Sequence, residues 1–157
     1  MRVAMNILRL RICRGLALLA FAASCQVAHA ADDAGMIKTA KGSVTVERAG
    51  SKLSAAPGFR IQSADRVLTG PDSAVGITLR DNTMLSAGAN AVLTLDKYAF
   101  NSTTHEGTLQ ASVQKGSLAV ISGKLPKASP DSVRFQTQSV TLGVRGTAFV
   151  IEAGEQP

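Results

Sequence analysis

An all-β domain of many short strands, a twisted β-sandwich or a solenoid-like coil, is what this 157-residue sequence predicts. Three observations carry it. Apolar residues recur at every second position in run after run, the period of a strand with one face buried. Turn residues break those runs about every 8–12 residues, the spacing of sandwiches and barrels. Beyond residue 30 no stripe of helical period appears.

The first thirty residues stand apart. Arg2, Arg9, Arg11 and Arg14 come with no acid, Gly15–Cys25 is apolar, and Ala28-His29-Ala30 is a small-x-small site. A basic start, a short apolar core and such a site describe a secretory signal peptide over residues 1–30. The apolar run is far short of the ~20 residues that span a bilayer. A lipoprotein reading, with Cys25 acylated after Ala22-Ala23-Ser24, is the lesser alternative. The expected domain is residues 31–157, with its core over about 37–152.

Within it, Ala31–Met36 reads as a loose polar leader. Val44 and Val46 then share one face against Thr45 and Glu47. Val75, Ile77 and Leu79 repeat the pattern, as do Ala91, Leu93 and Leu95, then Leu109, Ala111 and Val113. Leu118 with Val120, Val133 with Phe135, and Phe149 with Ile151 complete it. Between them, Gly70-Pro71-Asp72 is a turn with proline and an Asx acceptor in place. Asp81-Asn82 suits a tight hairpin, because asparagine tolerates positive φ. Gly88-Ala89-Asn90, Lys115-Gly116 and Gly123 mark corners, and Lys124–Ser132, with two prolines, reads as the longest loop. Aromatic residues are only 4%, so the core must be layers of Val, Leu and Ile.

Charge and cysteine narrow the function classes. The whole chain is +6, but four of its seventeen cations leave with the presequence. Thirteen Lys and Arg then face eleven Asp and Glu, a net charge of +2. The remaining cations fall singly along the chain, so nucleic-acid binding is not expected. Cys13 and Cys25 both lie in the presequence, which leaves no disulfide, no thiol nucleophile and no thiolate metal site.

Catalytic constellations are absent from the pattern. His105 is the single histidine after residue 30, in the polar stretch Asn101–Gly107, and reads as a solvated loop residue. Ser112-Val113-Gln114-Lys115 spells S-x-x-K, but on a strand rather than the helix that chemistry uses. Asp65, Asp72, Asp81 and Asp96 are scattered over four segments, whereas calcium takes six to eight oxygens gathered largely from one loop. They read as turn caps and surface charge. Neither a metal nor a cofactor is expected.

Three segments together resemble the FecR-type domain, the extracytoplasmic domain of ferric-citrate regulator-like proteins. Lys41-Gly42-Ser43-Val44-Thr45-Val46 looks like the family's first strand. Asp65-Arg66-Val67-Leu68-Thr69-Gly70, Ser73-Ala74-Val75, Leu79-Arg80-Asp81-Asn82-Thr83 and Leu93-Thr94-Leu95 are similar to its central pattern. Thr141-Leu142-Gly143-Val144-Arg145-Gly146-Thr147-Ala148-Phe149 looks like its most characteristic motif. The family hairpin usually has Asp-Gly where Asp81-Asn82 stands. The transmembrane helix and sigma-factor-binding segment of classical members are not found in this sequence.

The resemblance implies an exported, non-catalytic binding or sensory module of the bacterial envelope, periplasmic or secreted. It would meet a protein or envelope polymer through a sheet face or edge. The alternative is a structural or assembly component that works by strand–strand pairing. Asp65, Thr69, Gly70, Gly143, Arg145, Gly146 and Thr147 are the motif residues, structural or interacting. Gly143 and Gly146 suggest special backbone angles or close approach around Arg145. Two readings of Arg145 stand: a packed cation paired with an acid such as Asp65, or a guanidinium turned toward a partner's carboxylate.

Overall fold

A computed structural model describes residues 33–145 and 148–154. Its strands are β1 (Asp33–Lys41), β2 (Val44–Arg48), β3 (Ser51–Ser54), β4 (Arg60–Gln62), β5 (Arg66–Thr69) and β6 (Ala74–Leu79). They continue with β7 (Met84–Ala87), β8 (Val92–Phe100), β9 (Gly107–Ile121), β10 (Val133–Gln136), β11 (Thr141–Gly143) and β12 (Ala148–Ala153). One helical turn, α1 (Leu125–Ala128), and a 3-10 turn at Pro130–Ser132 complete the described residues. The chain is all-β, as its period-two patterning requires.

The sheet is organised on β9, which belongs to both of its halves. β7 and β8 run in tandem down one side of β9, from Met84 opposite Ile121 to Phe100 opposite Gly107. The first half continues outward from β8 as β5, β2 and β3, and the second from β7 as β6, β1 and β4. On the other side of β9, β10 pairs in parallel at Leu109–Ser112 and β12 antiparallel at Gly116–Ile121. β11 adds to the far edge of β10. Pairing is antiparallel everywhere except between β9 and β10.

Gly116 is where β9 passes from one half to the other. Its φ is +83°, and a Cβ there would come within 2.6 Å of Ala91 Cα. The two constraints together call for glycine. The alternating apolar residues of both halves then meet in one cluster: Val46, Val67, Leu93, Leu109 and Phe135 with Ile37, Ile77, Leu85, Leu118 and Val120, all at most 3% exposed. Each such aliphatic side chain contributes roughly 1.5–3 kcal/mol on burial. Across the layers, Phe135 of β10 meets Phe149 of β12 edge to face at 5.3 Å.

Several boundaries differ from expectation. The leader is not loose from Asp33 on: Ala34 is fully buried, and Asp33 pairs with Arg60 at 2.6 Å. Lys41–Val46 is not one first strand but the end of β1, a turn with Gly42 at φ +71°, and the start of β2. Lys115-Gly116 bends a continuous strand instead of ending one. The long loop holds α1, whose Leu125 is fully buried. The Asp81-Asn82 hairpin forms as expected, with Asn82 at φ 66°. The presequence lies outside the described residues, as do Gly146 and Thr147.

Candidate functional site

Asp65 sits just before β5 and is fully buried. Arg48, at the end of β2, donates from Nε to Oδ1 and from Nη2 to Oδ2, both at 2.7 Å. The Gln62 amide donates to Oδ2 at 2.8 Å, and Arg48 Nη2 also reaches the Arg60 carbonyl. The guanidinium lies 5.5 Å from the centre of the Phe59 ring, a cation–π distance. Its hydrogen bond to Asp65 holds its proton more tightly than an ordinary arginine. Asp65 therefore joins β2, β4 and β5, with Arg48 as its cation. Arg145 plays no part in it.

Thr69 and Gly70 close the next corner. Thr69 Oγ1 donates to the Gly88 carbonyl at 2.6 Å and accepts the Ala91 amide at 2.8 Å. The Gly70 amide donates to Ser43 O, and Gly70 O accepts from Asn90. Both residues bind the start of β8 to the ends of β2 and β5.

Asp81 is the second fully buried acid, where a surface turn cap was expected. Its Oδ1 accepts from Tyr98 OH at 3.1 Å, and its Oδ2 from Thr83 Oγ1 at 2.5 Å. Leu125 N–H approaches Oδ2 at 3.4 Å, so the β6–β7 turn is fastened to α1. Burial, and then the neighbouring Asp81, push the Tyr98 phenol well above its ordinary range. Asp72 and Asp96 are exposed, as expected of surface charge.

The C-terminal motif is arranged differently. Gly143 has no positive φ and nothing within 4 Å of where a Cβ would stand, so neither a special backbone angle nor a close neighbour in the described chain calls for glycine there. Val144 is buried and its amide donates to Val133 O. The Arg145 side chain is 78% exposed and, among the described residues, meets the still more open Asp131 at 3.4 Å. Asp65 is paired with Arg48 instead. An open slot of about 300 Å³ is lined by Leu142, Gly143, Val144, Arg145, Phe149 and Val150.

No catalytic arrangement assembles among the described residues. His105 is half-buried rather than solvated, with its ring stacked 6.1 Å from that of Phe100 and its backbone at φ 62°. Ser112 Oγ donates to Asp96 Oδ2, while Lys115 lies exposed at a register shift. Among the described residues no group of His, Cys, Asp and Glu could hold a metal ion. A recess of about 590 Å³ beside Asp33, Arg80, Phe100, Asn101 and Glu106 is of mixed character and wide open.

The outer faces of the two halves contrast. On the first, Glu47 lies 3.6 Å from both Lys52 and Arg66, and Arg66 bonds Gln114. On the second, the pairings align Thr78, Met84, Ile121 and Ala148 in one row. Gly76, Ser86, Ala119 and Val150 form the next. Neither row holds a charge. Met84, Ile121 and Val150 are 46%, 49% and 65% exposed, so this is an apolar patch facing solvent.

Residues 65–157 match the FecR protein family, well over half of the chain. The chain belongs to that family. The match begins at Asp65, the residue on which the first cluster is built, so the likeness of Lys41–Val46 lies outside it. FecR proteins are regulatory and sensory, associated with the cell envelope, rather than enzymes. No curated protein and no solved structure matches the chain. Among the described residues no helix is long and apolar enough to cross a membrane.

The sequence singles out Asp65, Thr69 and Gly70, but it does not reveal that Asp81 is buried or that Arg48 and Tyr98 are partners of the two buried acids. Arg48 carries a faint signal, a cation ending an alternating run. Tyr98 is the chain's one tyrosine, and its partner is set by the fold.

Proposed function

We propose that this FecR protein is an exported, non-catalytic binding module that recognises a protein or envelope polymer without turning it over. The observation that carries this reading is the apolar patch on the outer face of β6, β7, β9 and β12, with Met84, Ile121 and Val150 open to solvent and charge only at its margins, Lys38 and Glu152. A sheet face that keeps apolar side chains in water while the opposite face is covered with paired charges is built to be covered. Family membership supports it, since FecR proteins sense and regulate. Asp65, Thr69 and Gly70 hold the scaffold, and Arg145, outside any buried pair, is free to meet a carboxylate. The chain acts after removal of residues 1–30, in the periplasm or outside the cell.

The test is capture from an envelope extract, with residues 31–157 as bait, beside a bait carrying Met84→Glu and Ile121→Glu. Both positions are half-open, so the substitutions leave melting unchanged. Capture lost with melting intact supports the face; equal capture by both baits rejects it.

A further inference from the structure

We infer that the free edge of β12 receives an extended polypeptide segment from a partner, with alternating apolar residues and a carboxylate at the end that lies level with Arg145. This rests on the reading of the chain as a binding module and adds where a strand would enter.

The argument begins with a mismatch between the layers. Phe149 meets Phe135 at 5.3 Å, which places β12 over β10. β11 extends the lower layer by one strand beyond β10, with Leu142 directly opposite Phe135. Paired residues on adjacent strands point to the same face, so Leu142 faces inward like Phe135. Phe135 is fully buried, yet Leu142 is 39% exposed. What it lacks is a strand above it. Among the described residues β12 pairs only with β9, and the position beside it, over β11, is vacant.

That vacancy is the slot of about 300 Å³. One wall is the unpaired backbone of β12, which offers N–H and C=O groups to a further strand. The floor is apolar, formed by Leu142 and Val144. At the end stands Arg145, held among the described residues by an exposed contact to Asp131 of the kind that contributes little. A carboxylate arriving there gains a fork of donors.

The other edges are shorter than this one: β11, the far edge of β10, has three residues, and β4 and β3 are also guarded. β4 has three residues, with Arg60 tied to Asp33, and follows Pro57. β3 is four residues with Lys52. β12 runs six residues with neither proline, lysine nor a register break, carries its one charge, Glu152, near the end away from Arg145, and shows Val150 to solvent. A strand left so open without a bound segment would invite aggregation.

The probe is a dansyl-labelled eight-residue peptide of alternating valine and threonine ending in two aspartates, titrated into residues 31–157 and read by anisotropy. Saturable binding is expected, weakened about tenfold when lysines replace the aspartates, as for loss of a charge partner at an interface rim. Arg145→Glu, at an exposed site that leaves the fold intact, should reverse that preference. A version methylated at alternate backbone nitrogens should not bind. Equal binding of the acidic and basic peptides, or full binding of the methylated one, overturns the proposal. So does a self-associated chain whose dimer is abolished by Val150→Lys, since a second copy then fills the edge. Failed peptide binding with capture still lost on Met84→Glu and Ile121→Glu removes this inference and leaves the module reading intact.

Discussion

Arg48 grips Asp65 with two parallel hydrogen bonds, both 2.7 Å long, on a carboxylate with no exposure to solvent. Truncating the cation strands a buried charge, which is far costlier than losing a surface pair. We expect Arg48→Ala to lower stability by about 3 kcal/mol in urea unfolding, the low end of the buried-pair range because the arginine is partly exposed. Arg48→Ala combined with Asp65→Ala should cost less than the two single changes summed. Strict additivity would show that the two side chains do not act as a unit.

Tyr98 carries a pH dependence. The folded protein holds the phenol proton above its ordinary range, through burial and the adjacent Asp81, so it binds this proton more tightly than the unfolded chain does. The contribution is complete below the unfolded value, about 10, and is lost as pH rises beyond it. Because this is the chain's one tyrosine, tyrosinate absorbance near 295 nm reads it alone. Its ionisation should coincide with alkaline unfolding, and Tyr98→Phe should flatten the alkaline decline while costing about 1 kcal/mol at neutral pH. Ionisation at the free-phenol value in folded protein would refute this.

Two glycines should respond oppositely to alanine. At Gly116, φ is +83° and a Cβ would strike Ala91, so Gly116→Ala should cost roughly 2–3 kcal/mol or prevent folding. At Gly143 there is open space, so Gly143→Ala should shift stability by less than about 0.5 kcal/mol. Thermal melts of both decide it. An unstable Gly143→Ala would mean that this glycine serves the fold after all.

Thr69 offers a third contrast. Thr69→Val keeps the shape but strands the Ala91 amide and the Gly88 carbonyl, at a cost of about 2 kcal/mol. Thr69→Ser retains the hydroxyl and should cost less than half as much in chemical denaturation. Equal losses would assign the residue to packing alone.

Period-two alternation located the strands well, because a face is either inside or outside and Val44, Val75 or Leu109 cannot be both. Turns that depend on local backbone chemistry, such as Asn82 at positive φ, were equally legible. What could not be read was which residues meet across the fold. Asp65 finds Arg48, not Arg145, because β2 lies beside β5, a fact of topology with no local signature. Asp81 looks like any hairpin acid until Tyr98 and Leu125 arrive from distant segments. At Gly143 the expected special backbone angle is absent, and nothing in the described chain comes close to it.

Among the described residues β9 is the one strand that pairs into both halves of the sheet. Neither half can release its ladder without taking apart the other's, so amide exchange should show one cooperative unit instead of two. The ribbon that closes the structure is completed late, at Ile121, and its neighbours come from both earlier and later sequence. Folding must therefore wait on long-range closure.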